Sequence, residues 1–242
     1  MLWRPRGGGP FPAILLNHGS GRTQEELERL GPYERNAEKL GPLFVGHGYV
    51  FLYLFRRGVG PSTDQGANSV DLMNREFTTH GQEARNALQL RLLDRDMTDA
   101  LSGLKFLRAL SYVDAHDTGV IGHSFGGSLT VLMAESEPDL RAVVVFSGAG
   151  YSFDRSPELR ERLLAAVAHI APPVFFIHAE NDYSLSSGSV LDAWREQLGK
   201  PHRLKIYPPI GHTVEDGHDF LYLGVSIWEP DVFAFLDEHM RR

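Results

Sequence analysis

The chain contains no cysteine, which removes thiolate catalysis, disulfide bonds and cysteine-ligated metal sites together. It leaves the redox compartment open. No apolar run approaches the ~20 residues that a membrane span needs, and the opening Met1-Leu2-Trp3-Arg4-Pro5 does not read as a signal peptide. Cytoplasm is therefore the expected location. Basic clusters are also missing: Arg56-Arg57 and Arg241-Arg242 are only pairs, and the net charge is −7. Neither nucleic acid nor a membrane surface is expected as a partner. Internal repeats, low-complexity tracts and a second domain are absent as well, so residues 1–242 read as one domain with enough length for a buried core.

What is present is ordinary for a soluble globular protein, with 42% hydrophobic and 23% charged residues. Short apolar runs at residues 13–16, 49–55, 118–121, 141–146, 174–179 and 204–207 read as strands covered on both faces. Residues 1–10 are broken by Pro5, Gly7, Gly8, Gly9 and Pro10, leaving at most a stub of strand at residues 2–4. Between the runs, helical spacing marks residues 32–46, 82–110, 128–135, 158–168 and the stripe Val190, Leu191, Trp194, Leu198. Pro230 is expected to open a terminal helix, and residues 63–79, lacking a clear period, are expected to be mostly loop. Strands alternating with helices specify an α/β fold with a mostly parallel sheet.

Chemistry concentrates at Gly122-His123-Ser124-Phe125-Gly126-Gly127. An apolar strand leads into it and a helical run leads out, the setting of a nucleophile elbow. In such an elbow a strained turn lifts a serine hydroxyl out of the sheet, and the glycines let strand and helix backbones nearly touch. A serine hydroxyl attacks poorly until a base, usually a histidine oriented by a carboxylate, takes its proton.

Several further stretches complete a pattern: Asn17-His18-Gly19 after Gly9-Pro10-Phe11-Pro12-Ala13, Arg57-Gly58-Val59-Gly60-Pro61-Ser62, Glu180-Asn181-Asp182, Gly211-His212, and Trp228 ahead of residues 232–236. With the elbow, they make residues 10–235 resemble the α/β-hydrolase superfamily. The nearest likeness is the serine-bearing branch of the dienelactone-hydrolase-like group, relatives of small esterases and of prolyl-oligopeptidase catalytic domains. The resemblance implies an α/β-hydrolase fold with flanking helices. The amino-terminal hairpin is reduced, so the sheet should hold about six to seven strands rather than eight. Either the chain is a minimal version or its start lies upstream. A shortened sheet edge also invites pairing with a second copy as a homodimer.

In that superfamily the order is Ser, then Asp or Glu, then His, each at the carboxyl end of a strand. The catalytic residues implied are Ser124, Asp182 and His212, with the amides of Phe125 and Ser20 forming the oxyanion hole. Glu180 and Asp154 are the other candidates for the acid, and Asp182 also suits a turn. His218, further along the same loop as His212, is the runner-up for the base. His178 lies inside a strand and reads as a packed, hydrogen-bonded core residue, while His18 and His123 belong to motifs that orient backbone. Arg56, Arg57 and Ser62 read as loop braces; the arginines' alternative is a partner for a substrate carboxylate.

The reaction implied is hydrolysis of small-molecule carboxylic esters with small or medium acyl groups, through an acyl-enzyme, with no cofactor and no metal. Residues 57–93, at the position of a cap, are too few for a large lid, which predicts an open site. Dienelactone hydrolases proper use a cysteine nucleophile, so Ser124 argues against that reaction. The competing readings are a peptidase of prolyl-oligopeptidase type, whose gating propeller has no counterpart here, and a non-catalytic binding module on the same fold.

Overall fold

The computed structural model describes residues 1–23, 27–28 and 31–240. The strands are β1 Leu2–Trp3, β2 Phe11–Asn17, β3 Val50–Leu54, β4 Val113–His123, β5 Ala142–Phe146, β6 Val174–Ala179 and β7 His202–Tyr207. They form one seven-stranded sheet in the order β1-β3-β2-β4-β5-β6-β7. Every pairing is parallel except that of the two-residue β1, which lies antiparallel on β3. The expected stub at the amino end is thus a true strand, tied further by the Met1 ammonium donating to the Tyr53 carbonyl at 2.9 Å.

Side chains alternate across the pleat, which divides the core in two. Ala13, Leu15, Val120, Val143, Val145 and Phe176 face one apolar layer, while Ile14, Leu16, Ile121, Val144, Phe175 and Ile177 face the other. The first layer is closed by α2 Ser69–Arg108, α3 Phe125–Ser136, α5 Pro157–His169 and α6 Ser186–Gln197, with the short α4 Ser152–Arg155 at its rim. The second is closed by α1 Glu34–Gly46, α8 Phe220–Leu223 and α9 Val225–His239, with α7 Val214–His218 leading into them. Burial on both faces explains why the central strands are continuous apolar runs rather than alternating ones.

Two expectations are corrected. Residues 63–79 are not mostly loop: a 3-10 turn spans Gly60–Gln65 and α2 begins at Ser69. The Asn68 side chain caps it by accepting from the Val70 amide at 2.9 Å. Gly81 (φ 85) then bends α2. The first arm buries little besides Ser69 and Met73, and Phe77 is half exposed, so its apolar period is faint. Pro230 does not open the terminal helix either, because α9 starts five residues earlier, at Val225. The fully buried Trp228, whose indole donates to the Leu221 carbonyl, anchors that first turn.

The sheet winds outward from β2, with β3 on one side and β4 on the other. At such a switch point the loops beyond neighbouring strand ends diverge and leave a crevice. Asn17-His18-Gly19 and the elbow occupy it. Among the described residues no helix is long and apolar enough to cross a membrane.

Candidate active site

Ser124 stands between β4 and α3 with φ 55 and ψ −120, a backbone region that residues with a side chain rarely adopt. The surroundings hold it there. Its amide donates to the Phe146 carbonyl at 3.0 Å, and its carbonyl accepts from Gly127, Ser128 and Ala149. The flanking glycines are required by close approach rather than by φ. A Cβ on Gly122 would lie 2.2 Å from the Gly126 carbonyl oxygen, and one on Gly126 would lie 2.2 Å from the carbonyl oxygens of Asn17 and His18. Gly126→Ala must therefore push α3 away from the turn after β2, and backbone cannot yield as a flexible side chain does. We expect a loss of about 2–3 kcal/mol in urea unfolding, with any activity that depends on Ser124 falling further than stability because the same turn borders that residue.

The imidazole that meets Ser124 belongs to His218, not to His212. His218 Nε2 is 2.8 Å from Ser124 Oγ, and His218 Nδ1 is 2.7 Å from Asp182 Oδ1. His212 is exposed, and its backbone amide donates to the Asp216 carboxylate at 2.8 Å. The reason lies in one helical turn. Thr213 and Asp216 form a capping box that starts α7, and α7 carries the chain from His212 on the outside to His218 over the site. Gly217 permits that approach, because a Cβ there would sit 2.4 Å from the Asn181 backbone. Both signals are in the sequence: Thr213-x-x-Asp216 has the form of a helix start, and Gly217-His218 repeats the glycine-histidine pair.

Asp182 is buried at the end of β6, with its side chain fully covered. Oδ1 accepts from His218 and from the Tyr183 amide, and Oδ2 accepts from His178 at 2.7 Å. Burial alone would raise this carboxyl. The hydrogen bonds from His178 and then His218 outweigh it and hold Asp182 well below the usual carboxylate range. The two other candidates for the acid lie elsewhere: Glu180 is exposed, and Asp154 accepts from Ser184 Oγ. The Tyr183 ring stacks on His218 with centroids 4.2 Å apart. Buried His123 is lowered to about 4 by burial and by the neighbouring His218, so it is neutral at pH 7 and donates Nε2–H to the His218 carbonyl at 2.8 Å.

The Phe125 amide opens α3, where the first turn's N–H groups lack partners within the helix. Ser20 borders the same space, and a Cβ on Gly19 would be 3.6 Å from Ser124 Cβ, so the turn after β2 abuts the nucleophile position. Arg56 holds that turn in place. Its Nη2 donates to the carbonyls of His18 at 2.8 Å and Gly19 at 2.6 Å, while Nε reaches Asp96. Arg57 is paired with Asp99, and Ser62 Oγ donates to the Phe55 carbonyl. Arg56 is buried, and both arginines are engaged by groups of the chain itself.

Two cavities meet at Ser124, His218, Ser20 and Tyr183. The larger, about 670 Å³, is bordered by Tyr33, Asn36, Asp219 and Tyr222. The smaller, about 150 Å³, is bordered by Met73, Arg85, Gln89, Phe125 and Tyr151. Among the described residues no three His, Asp or Glu side chains gather as metal ligands would.

Residues 31–219 match the dienelactone hydrolase family. The chain is 22% identical over 177 residues, or 61% of its length, to dipeptidyl-peptidase 5 of Porphyromonas endodontalis, and spans only 25% of that protein. Among solved structures, the acylaminoacyl peptidase of Pyrococcus horikoshii superposes with a TM-score of 0.66 at 19% identity, covering 100% of this chain and 39% of its own. Est1E of Butyrivibrio proteoclasticus, solved with ferulic acid bound, also gives 0.66 at 19% identity, covering 98% of this chain and 94% of its own. These likenesses show the α/β-hydrolase fold. With the family match spanning most of the sequence, the chain belongs to the dienelactone hydrolase family.

Proposed function

We propose that the chain hydrolyses carboxylic esters of small or medium acyl groups through an acyl-enzyme on Ser124. The observation that carries this reading is the continuous hydrogen-bond chain from Ser124 Oγ through His218 to Asp182, with separations of 2.8 and 2.7 Å. Ser124 Oγ attacks the ester carbonyl while His218 Nε2 takes its proton. Asp182 keeps the proton on Nδ1 and stabilises the imidazolium. The carbonyl oxygen, now an oxyanion, accepts from the amides of Phe125 and Ser20. Collapse of the tetrahedral intermediate expels the alcohol, which takes the proton from His218. A water then repeats the sequence to release the acid.

The acyl group takes the smaller cavity and the alcohol the larger. A cavity of roughly 150 Å³ holds about six carbon atoms, the size of benzene. Across p-nitrophenyl esters from acetate to decanoate, kcat/KM should therefore peak at or below about six carbons. Wild-type protein should also take a fluorophosphonate label, which needs an activated serine. A protein that neither hydrolyses the esters nor takes the label sinks the reading and favours a binding role.

A peptidase is the second reading, favoured by the acylaminoacyl peptidase whose structure covers 100% of this chain. The same residues serve, but the leaving amine must be protonated by His218 as it departs. Matched aminoacyl p-nitrophenyl esters and p-nitroanilides separate the two. An anilide hydrolysed within about tenfold of the ester makes amides the better substrate class.

A further inference from the structure

We propose that His178 is a positioning residue for the catalytic carboxylate, so that Asp182 is clamped between two imidazoles, one reactive and one fixed. The inference rests on the catalytic reading above. Alternation along β6 puts His178, with Val174 and Phe176, on the sheet face covered by α6, away from both cavities. It is buried and touches neither cavity. Its Nδ1 nevertheless lies 2.7 Å from Asp182 Oδ2, as close as His218 Nδ1 lies to Oδ1.

An ionised carboxylate only accepts hydrogen bonds, so both histidines must present an N–H at Nδ1. The bonds from His218 and the Tyr183 amide both fall on Oδ1, so without His178 the second oxygen would be short of a donor in a dry site. A buried carboxylate without enough donors relieves that cost by turning or by taking a proton. Either change ends its hold on the His218 tautomer. The His178 donor removes both escapes, because Oδ2 is satisfied in one orientation and that orientation aims Oδ1 at His218. The local sequence is shaped around this ring. A Cβ on Gly188 of α6 would stand 2.5 Å from His178 Nε2, so the glycine makes room for the imidazole at this depth.

Substitutions that separate hydrogen bonding from packing test the idea. In His178→Asn the side-chain amide sits where Nδ1 was, so the donor survives although volume is lost. In His178→Phe the volume is kept and the donor is lost. The proposal expects Asn to keep kcat within about threefold of wild type. Phe should lower kcat about 10- to 100-fold, the worth of a hydrogen bond to a charged group, with KM within about threefold. Fluorophosphonate labelling rates should follow the same order. A role in packing alone predicts the reverse, with Phe the better variant, and that result overturns the proposal.

If neither variant folds, nitrogen-15 shifts of wild-type histidines decide: a His178 ring with its proton on Nε2 only overturns it, and one protonated at Nδ1 supports it. Wild-type protein assayed alongside separates the two levels of failure. Inactive, unlabelled wild type removes the catalytic reading itself, whereas active wild type with the Phe variant ahead of Asn removes only the role given to His178.

Discussion

His218→Ala should lower kcat/KM for p-nitrophenyl acetate by about 10⁴-fold or more, and Ser124→Ala should match it, while His212→Ala stays within about threefold of wild type. The size follows from how the groups depend on one another. Without His218 the Ser124 hydroxyl keeps its proton, and without Ser124 the base has nothing to activate. Each single change thus removes the same covalent step. The double variant should be barely worse than either single one, since groups acting as a unit are far from additive. What survives comes from the oxyanion donors and substrate binding, which still give about 10³–10⁴-fold over water in subtilisin-type sites. His212 provides the internal control: its ring is exposed, and the backbone amide that caps α7 survives substitution by alanine. A large loss on His212→Ala with an active His218→Ala would mean that His218 is not the working base.

Asp182→Asn should cost about 10⁴-fold in kcat while leaving the fold intact, as the equivalent change does in the chymotrypsin-type triad. A carboxylate receives N–H groups from His178 and His218 at once, but an amide has only one accepting oxygen. One histidine then faces an NH₂ group and must turn or change tautomer. If that histidine is His218, its proton moves to Nε2 and the ring can no longer accept from Ser124. Stability should change with pH as well. The folded-state pKa of Asp182 is depressed, so its charge contributes stability above the unfolded-state value of about 3.9. That contribution shrinks as pH falls below this value and is gone beneath the folded-state pKa. Urea unfolding at pH 7 and pH 3 should show wild type ahead of Asp182→Asn at neutral pH, with the gap narrowing in acid. A gap that widens in acid would contradict the ionised, doubly bonded carboxylate.

The elbow was legible because its constraints are local. Gly122 and Gly126 are forced by backbone contacts across a single turn, and the strand and helix on either side announce themselves by period. The same holds for the sheet, whose buried strands have to be continuous apolar runs, and for the acidic stretch Glu180-Asn181-Asp182 that directly follows one of them. The first arm of α2 was not legible, because a side-chain cap at Asn68 rather than a broad apolar face defines its start.

The sequence by itself thus determined the α/β class, the elbow serine and an acidic residue one turn beyond β6, because each depends on neighbours a few positions away. Only the tertiary structure brings the ring of His218, and not that of His212, to Ser124. They are six residues apart on one loop, and the choice turns on whether the intervening chain coils into α7 and packs Gly217 against Asn181, a contact between segments far apart in sequence. The tertiary structure likewise turned His178 from one more core residue into the second hydrogen-bond partner of Asp182. Strand alternation puts its ring inside, but only the bend after β6 brings the carboxylate back to meet it.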